Sequence, residues 1–214
     1  MTPKKVREFF SRLEAANPEP KGELEYATPF QLLVAVVLSA QATDKGVNRA
    51  TRPLFHAHPT AQAIAALGEE DLAEYIQTIG LYKTKARHVV ALSRQLLERH
   101  GGEVPHDRTA LEALPGVGRK TANVVLNIAF HEPTIAVDTH IFRVANRTGL
   151  AAGTTVDAVE QKLLKVVPAE FRLHAHHWLI LHGRYTCKAR SPGCTHCSVF
   201  DLCSFKDKNV QPQP

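Results

Sequence analysis

Hydrophobic residues recur with a helical period along nearly the whole chain. The first such stripe consists of Val6, Phe9, Phe10 and Leu13. Its i, i+3, i+4, i+7 spacing predicts one face of a short helix, which should end before Asn17 because a proline follows. No segment alternates with a period of two for long enough to predict a strand. The pattern therefore indicates an all-α protein.

Two capping boxes mark further helix starts. The segment Thr28–Gln31 places a threonine three residues before a glutamine, with proline at the first helical position. It precedes the apolar run LLVAVVLSA, so we predict a buried central helix there rather than a strand. A second box at Thr109–Glu112 predicts another start, with Glu112 at its third position. Other helices are predicted at 60–67, 69–79 and 119–130. Two further helices are predicted from apolar stripes. The first stripe consists of Ala86, Val89, Val90 and Leu97, and the second of Val156, Val159, Leu163 and Leu164.

Composition narrows the class of protein. Hydrophobic residues make up 44% of the 214 residues and charged residues 22%, which is ordinary for a globular protein and excludes collagen-like and low-complexity chains. The longest apolar run, Leu32–Leu38, is far shorter than the roughly 20 residues that span a membrane. Arg7 and Glu8 fall where a signal peptide requires apolar residues. We therefore expect a cytoplasmic protein with no membrane partner.

The charge distribution suggests a polyanionic partner. The formal net charge is +5, and residues 171–200 contain four Lys or Arg, five His and no acidic residue. Such a stretch suits nucleic acid, although a solvated surface would have the same composition.

The segment Leu114–Asn123 combines glycines, basic residues and a predicted helix start. Gly116 and Gly118 permit a tight turn and remove side chains that would block a close approach. The first backbone amides of the following helix lack helical partners, which makes them a site for phosphate. A plain turn between two helices is the alternative reading of this pattern.

All four cysteines fall within 17 residues, with the spacing C-x6-C-x2-C-x5-C. They are Cys187, Cys194, Cys197 and Cys203. Without a secretory signal, a metal centre is a better interpretation than disulfides. The pattern alone leaves zinc and iron–sulfur open.

Four segments together resemble the endonuclease III family of DNA glycosylases. They are LLVAVVLSAQATD (32–44), TIGLYKTKA (78–86), LPGVGRKTANVVL (114–126) and PTIAVDTHIFRVANR (133–147). The resemblance covers nearly the whole chain and implies a two-lobed, all-α fold. It implies a barrel-like helical domain at 22–132, ending in a helix-hairpin-helix at about 108–130. Residues 1–21 and 133–214 would form a discontinuous iron–sulfur domain.

The resemblance also implies catalytic roles for two residues. From the residues alone, Lys120 is a phosphate contact and Asp138 a helix N-cap. In the family, the lysine attacks the sugar C1′ and forms a Schiff base, and the aspartate stabilises positive charge and assists proton transfer. The two would face each other across a cleft. The implied activity removes oxidised or ring-saturated pyrimidines and cuts the strand 3′ to the abasic site by β-elimination.

DNA-contacting residues follow from the same resemblance. Gln41 and Leu81 match residues that fill the space left by an extruded base; otherwise they would be a helix-end polar residue and a core leucine. The remaining expected contacts are Ile79, Gly116, Val117, Gly118, Arg119, His140, Arg143, Lys188 and Arg190. For Glu112, the capping box suffices as an explanation.

The cysteine spacing resembles the [4Fe-4S] ligand set of the family, which decides between the two metal interpretations. The implied partner is double-stranded DNA with damaged pyrimidines or abasic sites, bound by a monomer that associates with the bacterial nucleoid. A monofunctional adenine glycosylase is the nearest alternative, but such relatives lack a lysine at position 120. A non-catalytic DNA-binding module is the alternative from another class.

Overall fold

The computed structural model describes residues 1–210, and the regular structure within them is helical, without a β-strand. The predicted all-α class is confirmed. The α-helices are α1 (Pro3–Ala16), α2 (Pro29–Leu38), α3 (Asp44–Ala57), α4 (Ala61–Leu67), α5 (Glu69–Ile76), α6 (Tyr82–His100), α7 (Arg108–Glu112), α8 (Arg119–Phe130), α9 (Thr139–Thr148), α10 (Val156–Val166) and α11 (Arg172–Leu181). Among these described residues, no helix has the length and apolar character needed to cross a membrane.

The chain divides into two compact units. The first unit comprises Met1–Gly22 together with the chain from Pro133 onward, and the second comprises Glu23–Glu132. Each unit has its own hydrophobic core, and the two cores share no residue. Each unit therefore has the apolar interior that a stable domain needs.

The second unit is built around α2. All residues of α2 except Pro29 are buried, and the helix packs against α3, α6 and α8. The Thr28 hydroxyl accepts a hydrogen bond from the Gln31 amide at 3.2 Å, as the capping box predicts. A helix that is apolar on every side needs neighbours on every side, and α2 has them.

Helix α3 is absent from the sequence prediction. Its buried face is formed by Val47, Ala50 and Leu54, and the Thr43 hydroxyl caps its N-terminus. Pro53 lies inside the helix. Because proline removes a helical N–H and usually marks a helix end, the sequence around it did not predict a helix.

Several predicted boundaries are wrong. Helix α5 ends at Ile76 rather than at residue 79. Helix α7 is capped by Asp107, whose carboxylate accepts a hydrogen bond from the Ala110 amide at 2.8 Å, so the predicted box at Thr109 does not form. Glu112 is consequently the last residue of α7 and has no capping role at its N-terminus. Asp ranks above Thr as an N-cap, so residue type favours the observed start, whereas the capping-box pattern pointed to Thr109.

In the first unit, α1 packs against α11 through aromatic side chains. The ring centroids of Phe10 in α1 and Trp178 in α11 lie 6.4 Å apart, and the Trp178 indole donates a hydrogen bond to the Asn17 carbonyl at 2.7 Å. Helix α9 contacts both α10 and α11. This core supports the loops that carry the four cysteines.

Candidate functional site

The connection between α7 and α8 is a hairpin anchored by apolar side chains. Leu111, Leu114 and Val117 are buried in the core of the second unit, and the Val117 amide donates to the Leu114 carbonyl at 3.1 Å. Since the side chain of Val117 is only 6% exposed, it is not a surface contact, and the residue can offer a ligand only its backbone. The core therefore fixes the hairpin while Gly116 and Gly118 stay exposed.

Gly116 could not be replaced without strain. Its φ is +77°, a region that L-residues rarely adopt, and a Cβ atom at this position would lie 2.9 Å from the Nδ1 atom of His88. His88 in α6 thus packs directly beneath the hairpin, a support that the sequence did not indicate.

Helix α8 begins immediately after the hairpin with Gly118 at its N-cap. Glycine has no side chain to cap the first amides, which therefore point to the surface at the positive end of the helix. Arg119 is half-buried and Lys120 is exposed in the same turn. Backbone donors, a guanidinium and an ammonium group thus lie within one helical turn, at the place where the sequence predicts phosphate binding.

Asp138 occupies the N-cap of α9, directly after the buried segment 134–137. Its Oδ1 atom accepts a hydrogen bond from the Ile141 amide at 2.8 Å. This bond holds one carboxylate oxygen and fixes the direction of the other, on a side chain that stays half-exposed. Asp138 belongs to the first unit, whereas Lys120 belongs to the second.

Gln41 and Leu81 share an unusual backbone conformation. Their φ angles are +53° and +60°, although neither residue is glycine. Both side chains are exposed, and Leu81 is 62% exposed despite being apolar. A left-handed conformation costs about 1–2 kcal/mol for an L-residue, and such strain is concentrated at functional sites. Ile79, by contrast, is 4% exposed, so the DNA-contacting side chain expected there is a core side chain beneath the loop.

Arg143 points into the first unit. Its guanidinium donates to the carbonyl oxygens of Gly183 at 2.8 Å and Cys187 at 2.9 Å. It also lies 3.3 Å from the Nδ1 atom of His140, which is half-buried. These bonds join α9 to the turn that leads into the first cysteine, and the phosphate contact expected of Arg143 stays a prediction.

Arg147 makes a second set of bonds that sequence reasoning missed. Its guanidinium donates to the carbonyl oxygens of Lys188 at 2.6 Å and Ala189 at 2.9 Å. Arginines at i and i+4 lie on one helix face, and this spacing was the available signal. Together Arg143 and Arg147 hold the start of the cysteine segment by its backbone, so the side chains of Lys188 and Arg190 stay exposed.

The four cysteines form no disulfide with one another and lie around one cavity. The cavity is lined by Cys187, Cys194, Cys197 and Cys203, together with His182 and Arg147. Burial raises the pKa of the Cys197 and Cys203 thiols, so ligation of a metal there would release their protons. Within residues 1–210, no three His, Cys, Asp or Glu side chains form a site for one metal ion.

The comparisons with known proteins agree with this geometry. Residues 34–169 match the family model of the HhH-GPD superfamily of base excision DNA repair proteins. The chain is 62% identical to endonuclease III of Haemophilus influenzae over 201 residues, which cover 94% of this chain and 95% of the relative. It is 60% identical to endonuclease III of Escherichia coli K12 over 208 residues, covering 97% and 99%.

Solved structures give the same result. A trapped endonuclease III–DNA covalent intermediate is similar with a TM-score of 0.89 and 44% identity, covering 95% of this chain and 96% of that one. A thermostable thymine-DNA glycosylase is similar with a TM-score of 0.84 and 25% identity, covering 94% and 96%. The chain therefore belongs to the endonuclease III family, within the HhH-GPD superfamily of base excision DNA repair glycosylases.

Proposed function

We propose that this DNA glycosylase excises oxidised or ring-saturated pyrimidines from double-stranded DNA and then cuts the abasic strand. The observation that carries the proposal is Lys120, an exposed amine in the first turn of α8, directly beyond a hairpin whose two glycines are exposed. A relative of similar fold has been solved as a trapped covalent intermediate with DNA. An accessible amine beside bound phosphate is the group that such an intermediate needs.

The lysine acts as a nucleophile. The neutral Nζ atom attacks C1′ of the damaged nucleotide, the C1′–N bond to the base breaks, and the base leaves with a proton. Opening of the sugar ring gives a Schiff base between Nζ and C1′. Removal of a proton from C2′ then expels the 3′ phosphate by β-elimination, and water releases the amine.

Asp138 provides the fixed carboxylate for these steps. Its negative charge stabilises the positive charge that develops on the sugar, and it accepts the proton that Lys120 must lose. The N-cap bond to Ile141 supports this role, since a carboxylate held by the backbone is already oriented before the substrate binds.

Gln41 and Leu81 offset the cost of base extrusion. Taking a base out of the stack costs a few kcal/mol. Two exposed side chains on strained loop positions are suited to enter the vacated space, because they have little contact with their own protein to lose.

We further propose that the four cysteines hold a [4Fe-4S] cluster. All four thiols line one cavity, yet within residues 1–210 no three His, Cys, Asp or Glu side chains form a site for a single metal ion, whose sulfur ligands would lie about 2.3 Å from a zinc. An iron–sulfur cluster, which four cysteine thiolates ligate, is the better match for this set of side chains. When bound, the cluster cross-links the segment 187–203, and Lys188 and Arg190 on that segment contact phosphates.

We also propose that the protein acts as a monomer in the bacterial cytoplasm.

Borohydride trapping tests the chemistry. Reduction converts a Schiff base into a stable amine, so wild-type protein should form a covalent adduct with duplex containing an abasic site, in EDTA. Lys120→Gln should abolish the adduct while duplex binding falls only a few-fold, because one phosphate contact is lost.

Arg119→Gln is the matched control, since it removes a cation from the same helical turn. At saturating protein it should still form the adduct. Trapping by the Lys120→Gln variant at the wild-type rate would assign the nucleophile to another amine and refute the proposal.

A further inference from the structure

The segment that leads into the first cysteine is a π-helical turn. Residues His182–Thr186 follow α11 without a break, and the Cys187 amide donates to the His182 carbonyl, five residues earlier, at 2.7 Å. A π-turn inserts one extra residue into a helix and is frequent at functional sites. Here it terminates the helix at a residue that the cysteine pattern marks as a metal ligand.

The same histidine contacts another cysteine through its ring. The Nε2 atom of His182 lies 3.8 Å from the Sγ atom of Cys197. The side chain is 7% exposed, and its ring meets that of Phe9 edge-to-face, with 6.3 Å between centroids. One buried residue therefore holds the backbone of the first cysteine and the sulfur of the third.

The ligation of the Cys197 sulfur determines which atom donates the hydrogen bond in this contact. A cysteine sulfur bound to iron carries no proton, so the hydrogen bond exists only with Nε2–H as the donor. A second sulfur with a nitrogen donor nearby is that of Cys187, 3.8 Å from the Arg147 guanidinium. That guanidinium already donates to two carbonyl oxygens at 2.6 and 2.9 Å, whereas His182 directs its ring at Cys197.

We propose that His182 is a positioning residue for the cluster, orienting Cys197 and setting the reduction potential through an Nε2–H···Sγ hydrogen bond. The inference rests on the proposed [4Fe-4S] centre. Hydrogen bonds to the sulfurs of a cluster favour its more negative, reduced state, and donors of this kind also orient the metal ligands. Removing the donor therefore shifts the potential to more negative values and makes the cluster easier to oxidise.

Two substitutions separate hydrogen bonding from packing. Gln places an amide N–H near the position of Nε2, so His182→Gln keeps a donor, whereas His182→Leu keeps bulk without one. The full-length proteins are purified anaerobically, and iron content, absorbance near 400 nm, reduction potential by voltammetry and the rate of bleaching by ferricyanide are measured. We expect a more negative potential and several-fold faster bleaching for His182→Leu, with His182→Gln close to wild type.

The outcomes distinguish this inference from the proposal on which it rests. Wild-type protein without iron would refute the cluster and with it the role of His182. Iron-loaded wild type with equal potentials in all three proteins would overturn the role of His182 alone. If His182→Leu fails to retain iron, retention by His182→Gln supports the donor, whereas loss from both variants assigns the ring to packing and overturns the proposal.

Discussion

The hairpin and the cysteine segment are held in place by different means. The hairpin, residues 113–118, is fixed from below by the apolar side chains of Leu114 and Val117. The cysteine segment, residues 187–203, contains only short 3₁₀ turns and buries a single residue, Val199. It is held instead by guanidinium bonds to its backbone and by the proposed cluster. A loop anchored by several buried side chains needs only glycine in the right place, whereas one that contributes a single fully buried side chain to the core needs cross-links as well.

The largest difference should appear when a cysteine is lost. Cys197→Ser removes one proposed iron ligand, so we expect loss of the absorbance near 400 nm and of the bound iron. Amide exchange should become much faster across residues 187–203 while the hairpin amides keep their protection. Unchanged exchange in the cysteine segment would show that it holds its structure without the cluster. One equivalent of zinc and no iron in the wild type would instead identify a zinc site.

Acid should weaken the unit that carries the cysteine segment. Burial, followed by the nearby His174, lowers the pKa of His177 in α11 to about 4. An exposed histidine has a pKa near 6.5, so between these values only the unfolded chain binds the proton, and stability is lost as the pH falls from 6.5 to 4. His177→Phe removes this proton uptake. The difference in unfolding free energy between variant and wild type should shift in favour of the variant by about 2–3 kcal/mol between pH 7 and pH 4, measured by denaturant titration. If the difference in unfolding free energy between variant and wild type is the same at pH 7 and pH 4, the ring of His177 does not take up a proton on unfolding, and its pKa is not lowered by burial.

Two glycines test the backbone of the hairpin. Gly116→Ala introduces a Cβ at positive φ against His88 and should cost about 1–3 kcal/mol of stability, with weaker duplex binding. Gly118→Ala is the control, because Gly118 has a negative φ and open space around it. It should cost only about 0.5–1 kcal/mol, the difference between glycine and alanine at an N-cap. Equal effects of the two substitutions would disprove the support by His88.

The smallest effect concerns a single exposed cation of the cysteine segment. Arg190→Gln should lower duplex affinity a few-fold and reduce the slope of log affinity against log salt by about one. Binding titrations between 50 and 200 mM salt measure both quantities. An unchanged slope would remove Arg190 from the phosphate contacts.

Local chemistry explains which features the sequence could predict. The cap at Thr28 and the whole of α8 follow from short-range rules and match the structure. Helix α3 escaped prediction because Pro53 argues locally against a helix that tertiary packing nonetheless stabilises.

The candidate site shows the same limit. The hairpin and the N-cap position of Asp138 were visible as local patterns. The inward direction of Arg143 and the burial of Ile79 depend on partners far away in sequence, Gly183 and the core of the second unit. A basic or apolar residue type reveals nothing of which neighbour it will meet.

The left-handed backbone at Gln41 and Leu81 makes these two positions misleading targets for engineering of thermal stability. Glycine adopts such φ values without steric cost, so a selection for heat resistance alone would favour Gln41→Gly and Leu81→Gly. Both substitutions would discard the side chains proposed to enter the DNA stack. A screen for thermal stability alone would therefore select variants with less base-excision activity at these two positions. A useful screen must measure base excision as well as thermal stability.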